Sequence, residues 1–233
     1  MGWDLAIFDC DGVLIDSEPL TVRLEIELLA EAGIAITADE IGERYCGISM
    51  KAMLADLEAR YGCELGDAFA AEHAARLAVL CAAELRAMPG IEAVLDRLSG
   101  KICVASSSSP ERLRHTLGLV GLYERFAPHV FSATAVERGK PAPDLFLHAA
   151  TQMAADPARC VVIEDSVPGV VAAVTAGMSV IGFTGGGHCG AGHAGRLYAA
   201  GATVVVPAMP HLLPALDAVA VALERGRRHT PPA

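Results

Sequence analysis

The sequence predicts an α/β protein with a doubly wound parallel sheet and an inserted α-helical cap domain. Short apolar runs rich in β-branched residues recur along the chain, and helix-like segments with clear start and stop signals separate the later runs. Residues 17–88 break this alternation, because they contain only helix-like pattern. Strand–helix–strand alternation indicates parallel strands joined by right-handed crossovers. We therefore expect a core formed by residues 1–16 and 89–233, and a cap formed by residues 17–88.

Composition and charge limit the classes of function. The chain has 233 residues, of which 53% are hydrophobic, so it can bury one large domain or a core with an insert. The formal net charge of −10 argues against a nucleic-acid-binding surface. No apolar run reaches the ~18 residues that a membrane helix needs, so we expect no membrane partner.

The N-terminus and the cysteines predict a cytoplasmic protein. A secretory signal would carry a basic segment before its apolar run, and Met-Gly-Trp-Asp is not such a segment. The seven cysteines are scattered, odd in number and without a CxxC pair, which is typical of a reducing compartment. The sequence leaves the oligomeric state open, with a monomer as the expectation.

The first predicted strand, residues 3–9, leads into two aspartates, Asp9 and Asp11, with Gly12 directly after them. If the strand continued, these i, i+2 side chains would point the same way. Two carboxylates close together at a buried edge cost free energy unless a cation or a shared proton offsets the repulsion. Gly12 allows a sharp turn out of the strand. We interpret this segment as a divalent-metal and nucleophile site at the carboxyl end of a parallel strand.

Four helices are predicted in the inserted segment. Ser17-Glu18-Pro19 is a start signal for the first helix, and Gly33 is its stop signal. A capping-box sequence opens the second helix at Thr37. Ser49 can cap the third, which ends near Gly62, and residues 66–87 form the fourth. Two chain crossings, near residues 16 and 89, would then form a hinge pair for a lid.

The rest of the chain predicts five more strands and the helices between them. Start signals for helices occur at Ser109-Pro110, at Pro143-Asp144 and at Pro168, and the last of these helices stops at Gly177. The predicted strands are residues 101–106, 128–132, 160–164, 178–183 and 203–206. Cys103 and Cys160 lie in these apolar runs and are expected in the core.

Polar side chains follow several of these strands. Ser106 ends the second strand, Lys140 lies in the loop before Pro143, and Glu164 with Asp165 closes the strand at 160–164. The carboxyl ends of parallel strands meet at one rim, where these groups would join Asp9 and Asp11. A hydroxyl, a lysine and paired carboxylates suit a phosphate ester with a hard divalent ion, and Mg²⁺ prefers oxygen ligands.

Taken together, these residues resemble the phosphatase branch of the haloacid dehalogenase superfamily. The four motifs of that superfamily occur in order over essentially the whole chain, and a helical cap lies between the first and the second. The opening Asp-Cys-Asp-Gly-Val-Leu-Ile-Asp-Ser-Glu, residues 9–18, is similar to that of its β-phosphoglucomutase-like and sugar-phosphate phosphatase group. The resemblance implies a Rossmann-like core with a type-1 cap.

The resemblance also implies catalytic roles. Asp9 would be the nucleophile that forms an aspartyl-phosphate, and Asp11 the general acid and then the base. Ser106 and the amide of Ser107 would bind the phosphoryl oxygens, and Lys140 would offset charge. The implied Mg²⁺ ligands are Asp9, the backbone carbonyl of Asp11, Asp165, and Glu164 either directly or through water. The implied phosphate- or substrate-binding residues further include Cys10, Gly12, Gly47 and Ser49, although Ser49 has a role as a helix cap as its alternative.

The reaction type follows from Asp11 and from the cap. An acid at Asp11 favours a substrate with a C–O–P linkage. Thr21, Cys46 and Met50 stand where β-phosphoglucomutases carry a histidine and basic residues, which favours a phosphatase over a mutase; Lys51, one residue out of place, keeps the mutase open. A non-catalytic phospho-ligand sensor is the third hypothesis, and it would need a damaged set of key side chains. We expect a Mg²⁺-dependent phosphatase of a small phosphorylated metabolite, a sugar or sugar-acid phosphate.

A glycine-rich stretch, Gly182 to Gly195, carries His188, Cys189 and His193. A soft metal site is one interpretation, but the ligand count and spacing favour a mobile loop at the rim of the active site. In the cap, Arg44, Tyr45 and Ser49 are candidates for residues that select the substrate.

Overall fold

Six parallel strands form one sheet in the part of the chain that the computed structural model describes, residues 2–45 and 48–228. The strands are β1 (Leu5–Phe8), β2 (Lys101–Ser106), β3 (Val130–Ser132), β4 (Cys160–Glu164), β5 (Ser179–Phe183) and β6 (Val204–Val206). Their order is β3-β2-β1-β4-β5-β6. The α/β fold with a doubly wound parallel sheet is confirmed. The predicted strands are all present; β2 and β4 have the predicted bounds, and the other four are one to three residues shorter.

Five helices of the described chain lie between β1 and β2, and the first four of them are α1 (Glu18–Glu31), α2 (Ala38–Arg44), α3 (Met50–Tyr61) and α4 (Gly66–Glu84). The predicted caps are in place, because the hydroxyl oxygen of Thr37 accepts a hydrogen bond from the amide of Glu40 and that of Ser49 accepts one from the amide of Ala52. The fourth helix ends at Glu84 rather than at residue 87. After Glu84 the chain is extended, because residues 86–88 pair with residues 14–16, where the chain leaves the core. Asp16 N donates to the carbonyl of Arg86, and Met88 N donates to the carbonyl of Leu14.

Apart from three short 3-10 turns, seven further helices complete the described chain. They are α5 (Ile91–Leu95), α6 (Pro110–Leu119), α7 (Tyr123–Phe126), α8 (Asp144–Gln152), α9 (Val167–Thr175), α10 (His193–Ala200) and α11 (Leu212–Arg228). Ser109 caps α6 by accepting from Arg112 N at 3.3 Å, as its sequence predicts. Ser166 caps α9 by accepting from Gly169 N at 3.1 Å, so this helix starts one residue before the predicted Pro168.

The hydrophobic core lies on both faces of the sheet. Alternate residues of β1 contribute to the two sides: Ala6 and Phe8 pack in one cluster of buried residues, Leu5 and Ile7 in the other. Every β1 side chain is fully buried because helices cover both faces. Phe8 meets the ring of Phe126 edge-on, with the centroids 5.8 Å apart. Cys103 and Cys160 are buried, as predicted. Among the described residues, no helix is long and apolar enough to span a membrane.

Candidate active site

The candidate site lies where the order of the sheet reverses, between β1 and β4. Ligands of open α/β sheets bind in the crevice at the carboxyl ends of the strands at this position. Phe8 is in register with Ile163, and Asp9 N donates to the Ile163 carbonyl at 3.0 Å. Strand pairing therefore brings Asp9 next to Glu164 and Asp165, although 155 or more residues separate them in sequence.

Lys140 joins the ends of these two strands. Its Nζ donates to Asp9 Oδ1 at 2.8 Å and to Glu164 Oε2 at 2.9 Å, and the lysine side chain is only 3% exposed. Burial alone would lower the pKa of Lys140, but the charges of Asp9 and Glu164 outweigh burial and raise it. Lys140 is thus a permanent cation that orients Asp9, in agreement with the position that the sequence predicts for it.

Three buried carboxylates converge on one point. Asp9, Glu164 and Asp165 each offer a ligand oxygen, and these oxygens lie within 4.8 Å of one another. Burial and then the charge of Glu164 raise the pKa of Asp9 to about 7, and burial raises the pKa of both Glu164 and Asp165. One lysine cannot neutralise three carboxylates, so an additional cation would lower the free energy of this cluster. The residues present therefore fit a hard divalent cation, which takes oxygen ligands.

Glu164 is the most constrained of the three carboxylates. It is fully buried, one oxygen accepts from Lys140 Nζ, and the other accepts from the amide and hydroxyl of Ser166. Both oxygens are therefore held by protein donors, which leaves Asp9 and Asp165 as the carboxylates with more freedom to contact an ion.

Asp11 lies in a different environment from Asp9. Strand β1 ends at Phe8, so the two aspartates are not forced together, and each has its own cation. Asp11 accepts from Ser17 Oγ at 2.6 Å, from Ser108 Oγ at 2.8 Å and from Arg112 Nη2 at 3.0 Å. Burial would raise the pKa of Asp11, but Arg112 and the two serine hydroxyls outweigh burial and lower it.

The turn after β1 requires glycine at position 12. Gly12 has a φ of +79°, as the predicted sharp turn needs, and a Cβ there would lie 1.8 Å from Asp165 Oδ2. The β1 and β4 loops can approach each other only because this side chain is missing. Cys10, in contrast, is fully buried in the hydrophobic core, so a phosphate could contact only its backbone.

A run of serines follows β2 at the same rim. Ser106, Ser107 and Ser108 all line the cavity that contains Asp9 and Lys140. Ser106 is buried, and its hydroxyl oxygen accepts from Ser108 N at 3.1 Å. The sequence selects Ser106 and Ser107 but misses Ser108, which is the serine that contacts Asp11.

The cap encloses the other side of this cavity, which has a volume of about 430 Å³. Ser49 lines the cavity as well as capping α3, so both interpretations of Ser49 fit its position. Tyr45 also lines it, and its hydroxyl donates to Asp56 and accepts from Arg60. Arg44 is half exposed and pairs with Glu40 instead, while Gly47 lies outside the described residues.

A buried polar pair in the cap was not found from the sequence. Glu25 on α1 and His73 on α4 both line the cavity, each is 6% exposed, and Glu25 Oε1 lies 3.9 Å from His73 Nε2. Burial raises the pKa of Glu25 to about 7, and burial together with Arg112 lowers the pKa of His73 to about 4. The two residues lie 48 positions apart, so only the helix packing of α1 against α4 reveals the pair.

The glycine-rich loop after β5 lies at the rim, where the sequence predicts it. His188 lines the cavity, and its Nε2 is 3.0 Å from Asp165 Oδ2. His193 Nε2 is 2.6 Å from the carbonyl oxygen of Asp165. Both histidines thus contact Asp165, a role that the sequence does not indicate.

Known proteins resemble this chain in sequence and in fold. Residues 3–177 match the family model of haloacid dehalogenase-like hydrolases. The chain is 31% identical over 187 residues to the 6-phosphogluconate phosphatase of Escherichia coli (strain K12), covering 79% of this chain and 84% of that protein. It is 33% identical over 184 residues to hexitol phosphatase B of the same strain, covering 76% and 81%. A crystal structure of a conserved haloacid dehalogenase-like protein of unknown function from Agrobacterium tumefaciens str. C58 is 42% identical, with a TM-score of 0.86 over 94% of this chain and 99% of that one.

Proposed function

The chain belongs to the haloacid dehalogenase-like hydrolases and is a phosphoric monoester hydrolase; on this premise we propose that it is a Mg²⁺-dependent phosphatase of a sugar or sugar-acid phosphate. The observation that carries the proposal is the position of Asp9, which is hydrogen-bonded to Lys140, shares one cluster with Glu164 and Asp165, and faces the cavity. The names of the two Escherichia coli relatives, which act on a sugar-acid phosphate and on hexitol phosphates, support the substrate class.

The proposed Mg²⁺ ligands are Asp9, Asp165 and the backbone carbonyl of Asp11, with Glu164 acting through water because both its oxygens are engaged. When bound, Mg²⁺ supplies positive charge that stabilises the transferring phosphoryl group and orients it for in-line attack. The convergence of three buried carboxylates around one lysine supports this assignment.

In the proposed first step, a carboxylate oxygen of Asp9 attacks phosphorus and the bond from phosphorus to the ester oxygen breaks. Asp11 gives its proton to the departing alkoxide. In the second step Asp11 takes a proton from water, and the water oxygen attacks phosphorus. The bond from phosphorus to the Asp9 oxygen breaks, which releases inorganic phosphate and restores the Asp9 carboxylate. Lys140 holds Asp9 in position, and the hydroxyl of Ser106 and the amide of Ser107 bind the phosphoryl oxygens.

The cap is proposed to act as a lid that selects the leaving group, with residues 1–16 and 89–233 as the core and 17–88 as the cap. The paired hydrogen bonds between residues 14–16 and 86–88 support these two crossings as the hinge. The cap residues described at the cavity include Thr21, Glu25, Ile48, Met50 and His73, and no lysine or arginine of the described cap lines it. A mutase needs cations there to hold a second phosphate, so this lining favours hydrolysis.

The first test compares the wild type with Asp9→Asn on a generic aryl phosphate, with and without Mg²⁺. We expect phosphate release by the wild type to require Mg²⁺ and to fall at least about a thousandfold in Asp9→Asn, because the nucleophile is lost. Circular dichroism and the thermal midpoint control for folding. Activity that survives in a folded Asp9→Asn variant would contradict the proposal, and so would phosphate transfer between sugar positions without net release.

The metal assignment is tested with Asp165→Asn. We expect a sharply raised Mg²⁺ requirement for aryl phosphate hydrolysis, since an amide oxygen is a weaker ligand than a carboxylate. Asp144→Asn is the matched control, because Asp144 pairs with Arg138 outside the cavity. An Mg²⁺ titration unchanged in Asp165→Asn would exclude Asp165 as a ligand.

A further inference from the structure

The loop after β5 brings together three side chains that bind soft metals. His188, Cys189 and His193 each offer one ligand atom, and these atoms lie within 4.8 Å of one another. From this geometry we propose that they form a second metal site, selective for Zn²⁺, beside the proposed Mg²⁺ site. The sequence spacing argues against such a site, but the turn at Gly186–Cys189 and the start of α10 at His193 fold the side chains onto one point.

The distances fit a zinc centre. With Zn–S bonds of about 2.3 Å and Zn–N bonds of about 2.0–2.1 Å, a tetrahedral ion holds a sulfur and a nitrogen ligand about 3.5 Å apart. Cys189 Sγ lies 3.4 Å from His188 Nε2. An ion bound to both atoms would keep them near this spacing, and it would replace the 3.0 Å contact between His188 Nε2 and Asp165 Oδ2.

The tautomer of His193 also allows this side chain to bind a metal ion through Nδ1. Its Nε2 donates to the carbonyl of Asp165 at 2.6 Å, which leaves the lone pair on Nδ1. Metal-binding histidines typically donate their other N–H to a carbonyl or a carboxylate in this way. Arg196 Nη2 now donates to that Nδ1 at 2.9 Å, so Arg196 must move when an ion binds.

The two proposed metal sites differ in the type of their ligand atoms. Thiolate and imidazole ligands select zinc over magnesium, whereas the three carboxylates select hard ions. The cluster offers one sulfur and two imidazole nitrogens within 4.8 Å of one another, so its ligand atoms favour zinc.

The test is a Co²⁺ titration of the metal-stripped 233-residue chain in excess Mg²⁺, with Co²⁺ as the spectroscopic probe of the zinc site. We expect a thiolate-to-cobalt charge-transfer band with one-to-one stoichiometry, displaced by Zn²⁺ and not by Mg²⁺. Cys189→Ser should abolish the band, and Cys63→Ser, a half-buried cysteine outside the cluster, should keep it. Absence of the band in the wild type, its survival in Cys189→Ser, or its displacement by Mg²⁺ would overturn the proposal.

A second variant tests the geometry without removing a ligand. Arg196→Met removes the donor that competes for His193 Nδ1, so we expect Zn²⁺ to bind several-fold more tightly by calorimetry. We also expect Zn²⁺ to raise the thermal midpoint of the wild type and of Arg196→Met, and not of Cys189→Ser. An affinity for Zn²⁺ unchanged in Arg196→Met would overturn the assignment of His193 as a ligand. These readouts measure binding, so they are independent of whether the protein hydrolyses phosphate esters.

Discussion

Asp11 accepts hydrogen bonds from three donors, which favour its ionised form, whereas its proposed role as a general acid needs the protonated form. Ser17, Ser108 and Arg112 hold the carboxylate, and Arg112 contributes most to the lowering of its pKa. A general acid must be protonated when the leaving group departs. The phosphate dianion of a substrate would repel the Asp11 charge and attract Arg112, and both effects would raise the pKa of Asp11. In the proposed mechanism, Arg112 would therefore link substrate binding to the protonation of Asp11.

Replacing Arg112 should change the pH dependence of the reaction. In Arg112→Met the main cause of the lowered Asp11 pKa is gone, so Asp11 keeps its proton to higher pH. We expect the alkaline limb of the pH profile of kcat to move to higher pH, together with a raised KM because a cation is lost from the cavity. The measurement is the pH profile of hydrolysis of an aryl phosphate at saturating Mg²⁺.

Arg114→Met is the matched control for Arg112→Met. Arg114 is on the same helix, is exposed, and stacks over the ring of Tyr123 at 5.4 Å from its centroid. The pH profile of Arg114→Met should match that of the wild type. An alkaline limb that stays in place in Arg112→Met, or that moves equally in Arg114→Met, would exclude Arg112 as the group that controls Asp11.

At the scale of elements, the site depends on how closely the turn after β1 approaches the end of β4. Gly12 makes this approach possible, and Gly33, at the end of α1, is a control with nearly the same backbone. The φ values are +79° and +80°, but a Cβ at Gly12 would meet Asp165 Oδ2 at 1.8 Å, whereas one at Gly33 would have no atom within 4 Å.

Gly12→Ala and Gly33→Ala should therefore have similar backbone strain but different activities. Each alanine in the left-handed region costs about 1–2 kcal/mol of the free energy of unfolding. Only Gly12→Ala displaces Asp165, so we expect it to lose about a hundredfold in kcat/KM and to need more Mg²⁺, while Gly33→Ala keeps its activity. Thermal unfolding and an Mg²⁺ titration of both variants check this. Equal activities would mean that the β1 turn does not position Asp165.

The strands and helices can be predicted from the local sequence pattern, but the hydrogen bonds between side chains in the site cannot. The strand at 160–164 and the caps at Thr37, Ser49 and Ser109 depend on neighbouring residues, so the sequence predicts them correctly. The convergence of Asp9 and Lys140 is predictable because polar residues follow strands that share one rim. The hydrogen bonds of Arg112 to Asp11 depend instead on where a long side chain extends from helix α6, and no spacing in the sequence indicates that direction.

At the scale of the whole molecule, the protein buries acidic groups despite its net charge of −10. Burial raises the pKa of Asp9 and of Glu25 to about 7 and that of Glu18 to about 8. Such a carboxyl has a higher pKa in the folded chain than in the unfolded chain. Between these two pKa values, the folded state binds more protons than the unfolded state. The free energy of unfolding then decreases as the pH rises. His73, whose pKa is lowered, acts in the opposite direction at lower pH.

Glu25→Gln should isolate one of these contributions. The pKa of Glu25 is about 7 in the folded protein against 4.5 as its ordinary value, so ionising it costs stability as the pH rises from about 4.5 to about 7. Glutamine stays neutral. We expect Glu25→Gln to match the wild type at about pH 4 and to be more stable by on the order of 1–3 kcal/mol at about pH 8. His73 is present in both proteins, and burial and Arg112 cause its shift, so its effect cancels.

Urea unfolding at both pH values, with chelator to remove bound metal, measures this difference. Glu27→Gln is the control, because Glu27 is exposed on the same helix and its substitution should leave the stability difference between the two pH values unchanged. A stabilisation by Glu25→Gln that is the same at both pH values would show that packing, and not the ionisation of Glu25, is responsible. A destabilisation at the higher pH would show that the neighbours of Glu25 stabilise its carboxylate form in the folded protein, which would contradict the raised pKa of Glu25.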